Sequence, residues 1–206
     1  MADLQHRADL KAPELQNPNV LQSYLSGLQL CINEISSQDI QGVADIIFEA
    51  YRNNRQIFIF GNGGSAATAS HMVCDLRKGT ALPGKRRLKV VSLTDNIALF
   101  TAIGNDIDYE SVFVEQLISQ VEEGDVAIGI SASGNSPNVI KAIEYAHGQG
   151  ATTIGFAAFG GGKLKDITDK SINLSTRDYG QAEDIHLSLG HILKELIKAK
   201  IKSDAS

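Results

Sequence analysis

The chain has 206 residues, 43% of them apolar, with 24 acidic against 19 basic side chains and a formal net charge of -5. That is enough apolar material for one buried core of ordinary domain size, and the acidic balance argues against a broad nucleic-acid-binding surface. Two cysteines cannot build a disulfide framework, the N-terminal stretch lacks an apolar leader core, and no apolar run is long enough to cross a bilayer, so a cytoplasmic protein without membrane partners is expected.

Residues 1–17 are polar, include Pro13, and are expected to be a flexible lead-in to a single domain over 18–206. Val20, Leu21, Leu25, Leu28 and Ile32 then fall at helical spacing, and Ile40, Val43, Ile46, Ile47 and Ala50 do so again after Ser37. These two segments predict an N-terminal helical pair. The pattern changes at IFIF (57–60), the first of five short apolar runs. The others are LKVVSL (88–93), VAIGI (126–130), TTIGFAAF (152–159) and SINL (171–174). Each has little polar alternation, as strands covered on both faces do. Helical stretches separate them, at 64–77, 96–103 with 108–121, 136–148, 162–168 and finally 182–201. Strand–helix alternation of this kind predicts an α/β fold: a doubly wound, five-stranded parallel sheet sandwiched by helices, with the N-terminal pair added.

Two loops at strand ends have the composition of a phosphate grip. The first, Gly61-Asn62-Gly63-Gly64-Ser65, follows IFIF. The second, Ser131-Ala132-Ser133-Gly134-Asn135-Ser136, follows VAIGI and leads to Pro137, which suits a first helical turn. Glycine allows close backbone approach, a helix start presents free N–H groups, and serine adds neutral donors. The first loop is neither a Walker A motif nor GxGxxG, because position 66 is alanine and no Gly-Lys-Ser/Thr follows. Either loop alone could be an ordinary strand-to-helix turn. Two together favour a phosphate-bearing small molecule.

His71 and Asp75 lie four apart on one expected helix and so share a face, a spacing that suits a metal or a substrate equally well. In the last helix Glu183 and His191 are two turns apart. Asp184 competes with Glu183 as the inward carboxylate, since its seven-residue offset shares a face with His191 more closely. A histidine on a helix is often only a hydrogen-bonded core residue, and Cys74 reads as a small buried hydrophobe. His6 and His147 read as surface residues.

GNGGS-x5-H, TAIGND (101–106) and EGDV-x-IGIS-x-SGNSPNVIKAI (123–143) together resemble the SIS, or sugar isomerase, family, and within it the phosphoheptose isomerases. The resemblance implies a SIS fold and conversion of sedoheptulose 7-phosphate to D-glycero-D-manno-heptose 7-phosphate through an enediol. It implies that Ser65 and the Ser131–Ser136 loop, with Ser133 and Asn135, hold the phosphate. Asn62, Gly63 and Gly64 would lie beside the sugar. It also implies a homotetramer with shared active sites, and a divalent metal, zinc in the family, held by His71, Asp75, Glu183 and His191. Aldose–ketose isomerisation needs a base and an acid at adjacent carbons. Asp75 is assigned as base and His191 as its opposing acid/base, with His71 and Glu183 as metal or substrate ligands.

This chain departs from the family pattern at four places. Asp75 stands where the family has glutamate, Gly79 for its arginine, Gly180 for an aspartate and Glu183 for a glutamine. Arg77 and Lys78 are the expected substitutes for the missing arginine, reached through a shifted backbone. Some SIS proteins bind partners without turnover, as the tetrameric DnaA initiator-associating type does, and that is the alternative function.

Overall fold

In the computed structural model, which describes residues 19–204, a single parallel sheet organises the chain. The expectations for residues 1–17 and His6 therefore lie outside the described residues. The strands are β1 Gln56–Gly61, β2 Lys89–Ser92, β3 Val126–Ser131, β4 Thr152–Ala157 and β5 Lys170–Asn173. Their spatial order is β2-β1-β3-β4-β5, and every neighbouring pair is parallel. The chain leaves β1 to one side to make β2, then returns past β1 to make β3. The connections therefore reverse direction between β1 and β3, whose carboxyl ends flank the crevice where such folds take ligands.

Alternation along each strand divides the interior into two cores. Ile57, Ile59, Ile128 and Ile130 face one side, while Phe58, Phe60 and Ala127 face the other. The first side is covered by α2 (Ser37–Arg52), α3 (Gly64–Cys74) and α8 (Tyr179–Ser203). The second is covered by α4 (Ile97–Asp106), α5 (Val114–Ile118), α6 (Pro137–Gly148) and α7 (Gly162–Ile167). With apolar side chains on both faces, β1 and β3 could not tolerate polar alternation, which is why they read as unbroken apolar runs.

Three boundaries differ from expectation, each for a local reason. The segment expected as a helix over 108–121 is instead a 3-10 turn, Tyr109–Ser111, followed by the short α5. The Asp108 side chain accepts from the Ser111 N–H at 2.7 Å, and the Gln116 amide donates to the carbonyls of Leu93 and Val112, so side chains take over bonds a continuous helix would make. The last helix starts at Tyr179 rather than 182, because Asp178 caps it by accepting from Gln181 N–H at 2.9 Å. Finally, α3 ends at Cys74 and continues as a π-turn over Asp75–Gly79.

The N-terminal pair comprises α1 (Val20–Glu34) and α2. Leu28 and Cys31 of α1 turn inward, and Tyr24 Oη donates to Asp184 Oδ2 at 2.6 Å, docking α1 on the start of α8. That bond to a carboxylate pushes the Tyr24 hydroxyl up to about 12. Val20, Leu21, Leu25 and Ile32 remain exposed. Their spacing is helical as expected, yet their face is not covered by this chain.

The helices α3 and α8 run side by side in the same direction. The Glu183 carboxyl lies over Gly64, Met72 packs against Gly190, and the Lys194 stem lies over Gly79. Residues up to 119 positions apart in sequence are thereby brought into register along one groove.

Candidate active site

A cleft of about 810 Å³ opens at the carboxyl ends of β1 and β3. Its volume lies within the range of small-ligand sites. Asn62, Gly63, Gly64 and Ser65 form one wall, and Ser131, Ala132, Ser133 and Ser136 form the other. Gly63 has φ of 55°, a conformation that glycine adopts without strain, and this lets the chain turn directly from β1 into α3.

The two helix starts at this cleft differ from those of the other helices longer than six residues. Helices α1, α2, α4 and α8 begin with side-chain caps from Asn19, Ser36, Asn96 and Asp178. At α3 and α6 there is no side-chain cap. The first N–H groups and positive dipole end of α6 are thus open to an anion, and those of α3 are shared with the Glu183 carboxyl. Ser131 Oγ lies 3.0 Å from Ser136 Oγ and 3.5 Å from Ser133 Oγ, so three hydroxyls converge beside the α6 start. Among the described residues, no lysine or arginine lines the cleft. Its one charged wall residue is Glu183, whose carboxyl rests over Gly64 at the favourable end of the α3 dipole.

Asn62 is fixed from two sides. Its amide makes a reciprocal pair with the buried Asn138 at 2.8 and 2.9 Å, and Tyr109 Oη donates to Asn62 Oδ1 at 2.9 Å. Asn135, grouped with the phosphate residues from sequence, is not among the cleft-lining side chains. Its amide bonds the Ser133 carbonyl and the Lys163 N–H, tying the loop to α7.

Farther along the same groove, His71, Asp75 and His191 meet. His191 Nδ1 and Asp75 Oδ2 share a hydrogen bond of 2.7 Å, and His71 Nε2 lies 3.8 Å from the same oxygen. The imidazoles stand edge to face with centroids 5.0 Å apart. Both histidine side chains are 48% exposed and Asp75 17%, so the pair faces solvent while the carboxylate is largely covered. One ligand atom from each residue lies within 4.8 Å of the others. Two imidazoles and a carboxylate fit a divalent cation of the zinc type with an open position. Glu183 is not in this cluster; it lines the cleft wall instead. Asp184, its rival as inward carboxylate, is engaged by Tyr24. The sequence-derived set of four is thereby split into a trio and a cleft residue.

Cys74 is exposed rather than buried and stands outside the trio. Cys31 is the buried cysteine. His147 is exposed, 3.6 Å from Asp169. The core histidine of α8 is His186, fully buried, with its ring 5.9 Å from Phe156 and no hydrogen-bond partner for either nitrogen among the described residues. Burial lowers its pKa to about 4, with the nearby Ala157 backbone offsetting part of the shift.

Sequence reasoning missed Tyr109 and Tyr179, which stand at the cleft, and Asn138 behind Asn62. Tyr109 follows the TAIGND segment closely, and Tyr179 directly follows the Asp178 cap. Nothing in their spacing marks them as cleft residues, because one sits on a 3-10 turn and the other on the first residue of a helix.

Strand order, uncapped helix starts and serine-lined loops together define a SIS domain, and the SIS domain family model matches residues 23–158. Phosphoheptose isomerase from Aquifex aeolicus is 38% identical over 84% of this chain and 91% of its own length. That from Thermodesulfovibrio yellowstonii is 41% identical over 77% of this chain and 79% of its own. The solved structure of phosphoheptose isomerase GmhA from Neisseria gonorrhoeae superposes with a TM-score of 0.80 at 28% identity, covering 95% of this chain and 99% of that one. The chain belongs to the phosphoheptose isomerase family of SIS domains.

Proposed function

We propose that this chain isomerises a phosphosugar in the cytoplasm, converting sedoheptulose 7-phosphate to D-glycero-D-manno-heptose 7-phosphate through an enediol. One observation carries the reading: helix α3 starts in a cleft lined by hydroxyl and amide donors and, two turns on, brings His71 to the acid/base trio. Seven residues of helix separate Gly64 from His71, a rise of roughly 10 Å. An extended phosphosugar chain can bridge that separation, with phosphate at one end and the reacting carbons at the other.

In this arrangement Ser65, Ser131, Ser133 and Ser136 donate to the phosphate oxygens with the N–H groups of the two helix starts. Asn62, immobilised by Asn138 and Tyr109, orients a sugar hydroxyl. Asp75 takes the proton from the carbon next to the carbonyl, and the C–H electrons form the enediol double bond as the carbonyl oxygen gains a proton. Return of a proton to the neighbouring carbon completes the exchange. His191, bonded to Asp75, handles the oxygen protons. A divalent cation on His71, Asp75 and His191 would supply polarisation of the carbonyl.

A homotetramer is part of the same proposal. The exposed apolar stripe of α1, with Val20 at 56% and Leu21 at 69%, supports burial against another copy.

Incubating the protein with sedoheptulose 7-phosphate, with and without Zn²⁺ or Mn²⁺, and assaying the aldose product tests the proposal. Turnover is expected. Phosphosugar binding with no turnover under any metal would overturn it and assign the chain to the non-catalytic SIS proteins.

A further inference from the structure

Asp75 uses only one of its oxygens for the two imidazoles. Oδ2 bonds His191 and approaches His71. Oδ1 points toward Gly79 instead, lying 4.0 Å from where a Cβ on that residue would stand. The same point is 2.7 Å from Lys194 Cδ and 3.1 Å from its Cγ. The lysine stem therefore occupies the space that any larger residue at 79 would fill, and it converges on the free side of the Asp75 carboxylate. Lys194 sits one turn beyond His191 on α8, so the two project from one face of the helix.

The ammonium is bonded to Glu195 Oε1 at 2.9 Å, but Glu195 is 68% exposed. An ion pair that open to water is weakly held and readily exchanged. Lys194 itself is 23% exposed, and the Asp75 charge adds to that of Glu195 in favouring its protonated form. Arg77 and Lys78, the expected sources of positive charge, are exposed on the π-turn, and the Arg77 carbonyl accepts from Arg87.

We propose that Lys194 is a positioning residue of the isomerisation centre: admitted by Gly79, it holds the Oδ1 side of Asp75 and offsets the negative charge that builds as the enediol forms. The proposal rests on the isomerase reading above. Charge placed beforehand beside the reacting atoms lowers the barrier without altering ground-state affinity.

Lys194→Met keeps the stem and removes the charge, Lys194→Arg keeps a cation, and Gly79→Ala leaves the lysine intact but displaces its stem. With sedoheptulose 7-phosphate, Lys194→Met and Gly79→Ala are expected to lower kcat about tenfold with KM within about twofold and melting temperature unchanged, while Lys194→Arg recovers most of the rate. A wild-type kcat in Lys194→Met overturns the proposal. So does a loss that follows melting temperature and is not restored by arginine. A Zn²⁺ titration by calorimetry reads the placement of the charge even if no sugar is turned over. Removing a cation beside the trio should tighten zinc binding about threefold to tenfold in Lys194→Met, and unchanged affinity would refute the placement independently of the isomerase reading.

Discussion

The cleft between β1 and β3 and the trio between α3 and α8 solve opposite problems. The cleft grips without cationic side chains: serine hydroxyls, backbone N–H groups and a locked asparagine pair, most of them set on loops anchored to buried strands. The trio is ionisable, its imidazoles half-exposed and its carboxylate largely covered, and its members come from two helical segments whose separation is set by side-chain packing. Neutral donors cannot repel or exchange protons with a substrate, which suits binding; imidazole and carboxylate can, which suits chemistry. Lesions should therefore separate cleanly, affecting affinity at one end and rate at the other.

The largest expected effect falls on the trio. His191→Ala and Asp75→Asn should each lower kcat by about 10²- to 10⁴-fold, the span general acid–base groups contribute. Melting temperature should stay near wild type, since His191 is half-exposed and asparagine keeps the shape of Asp75. Steady-state kinetics beside a thermal scan checks this. A variant that keeps near-normal kcat would remove that residue from the chemistry and dissolve the division of labour between the regions.

Much of this was legible in the sequence, but unevenly. The cleft loops are local: each lies within six residues at the end of an apolar run, so composition and order expose them. The pairing of His71 with Asp75 is local too. What joins them to His191 is tertiary, since the α3–α8 register depends on Met72 seating against Gly190 and on side chains over Gly64 and Gly79. Periodicity cannot deliver that register. It left Glu183 and Asp184 undecided, and packing resolves them, one into the cleft and the other onto Tyr24. The break after Asp108 is hidden for a partly similar reason: the Asp108 cap on Ser111 is local, but the Gln116 amide reaches the Leu93 carbonyl just past β2.

A second test addresses the joint between the regions. His186 lies on α8 between Glu183 and His191, buried against Phe156 of β4 without a hydrogen-bond partner among the described residues. Its pKa is lowered from 6.5 to about 4. The folded state therefore resists the proton that the unfolded chain accepts. Stability is complete above pH 6.5, falls as pH drops toward 4 and then levels off for this group, a loss of about 3 kcal/mol. Urea melts between pH 7 and 4 check the slope. In His186→Leu that part of the acid limb should vanish. An unchanged limb would mean the ring is hydrated or partnered, and that α8 is less firmly seated behind the cleft than its burial indicates.

The smallest effect tests the cleft itself. Ser133 contributes one hydroxyl to the converging set and accepts from Asn135 N–H at 3.2 Å, a bond near the surface. Ser133→Ala removes one donor to the phosphate and leaves the loop tied through the Ser133 carbonyl and Asn135. A hydrogen bond to a charged group contributes about 1.5–3 kcal/mol, and water can replace part of it here, so KM should rise about tenfold. The rate constant should stay within about twofold, because the phosphate does not react. Kinetics with sedoheptulose 7-phosphate measures both at once. A fall in kcat at constant KM would mean that the hydroxyl aligns the distant carbons rather than anchoring the phosphate, and binding and chemistry could no longer be assigned to separate ends of α3.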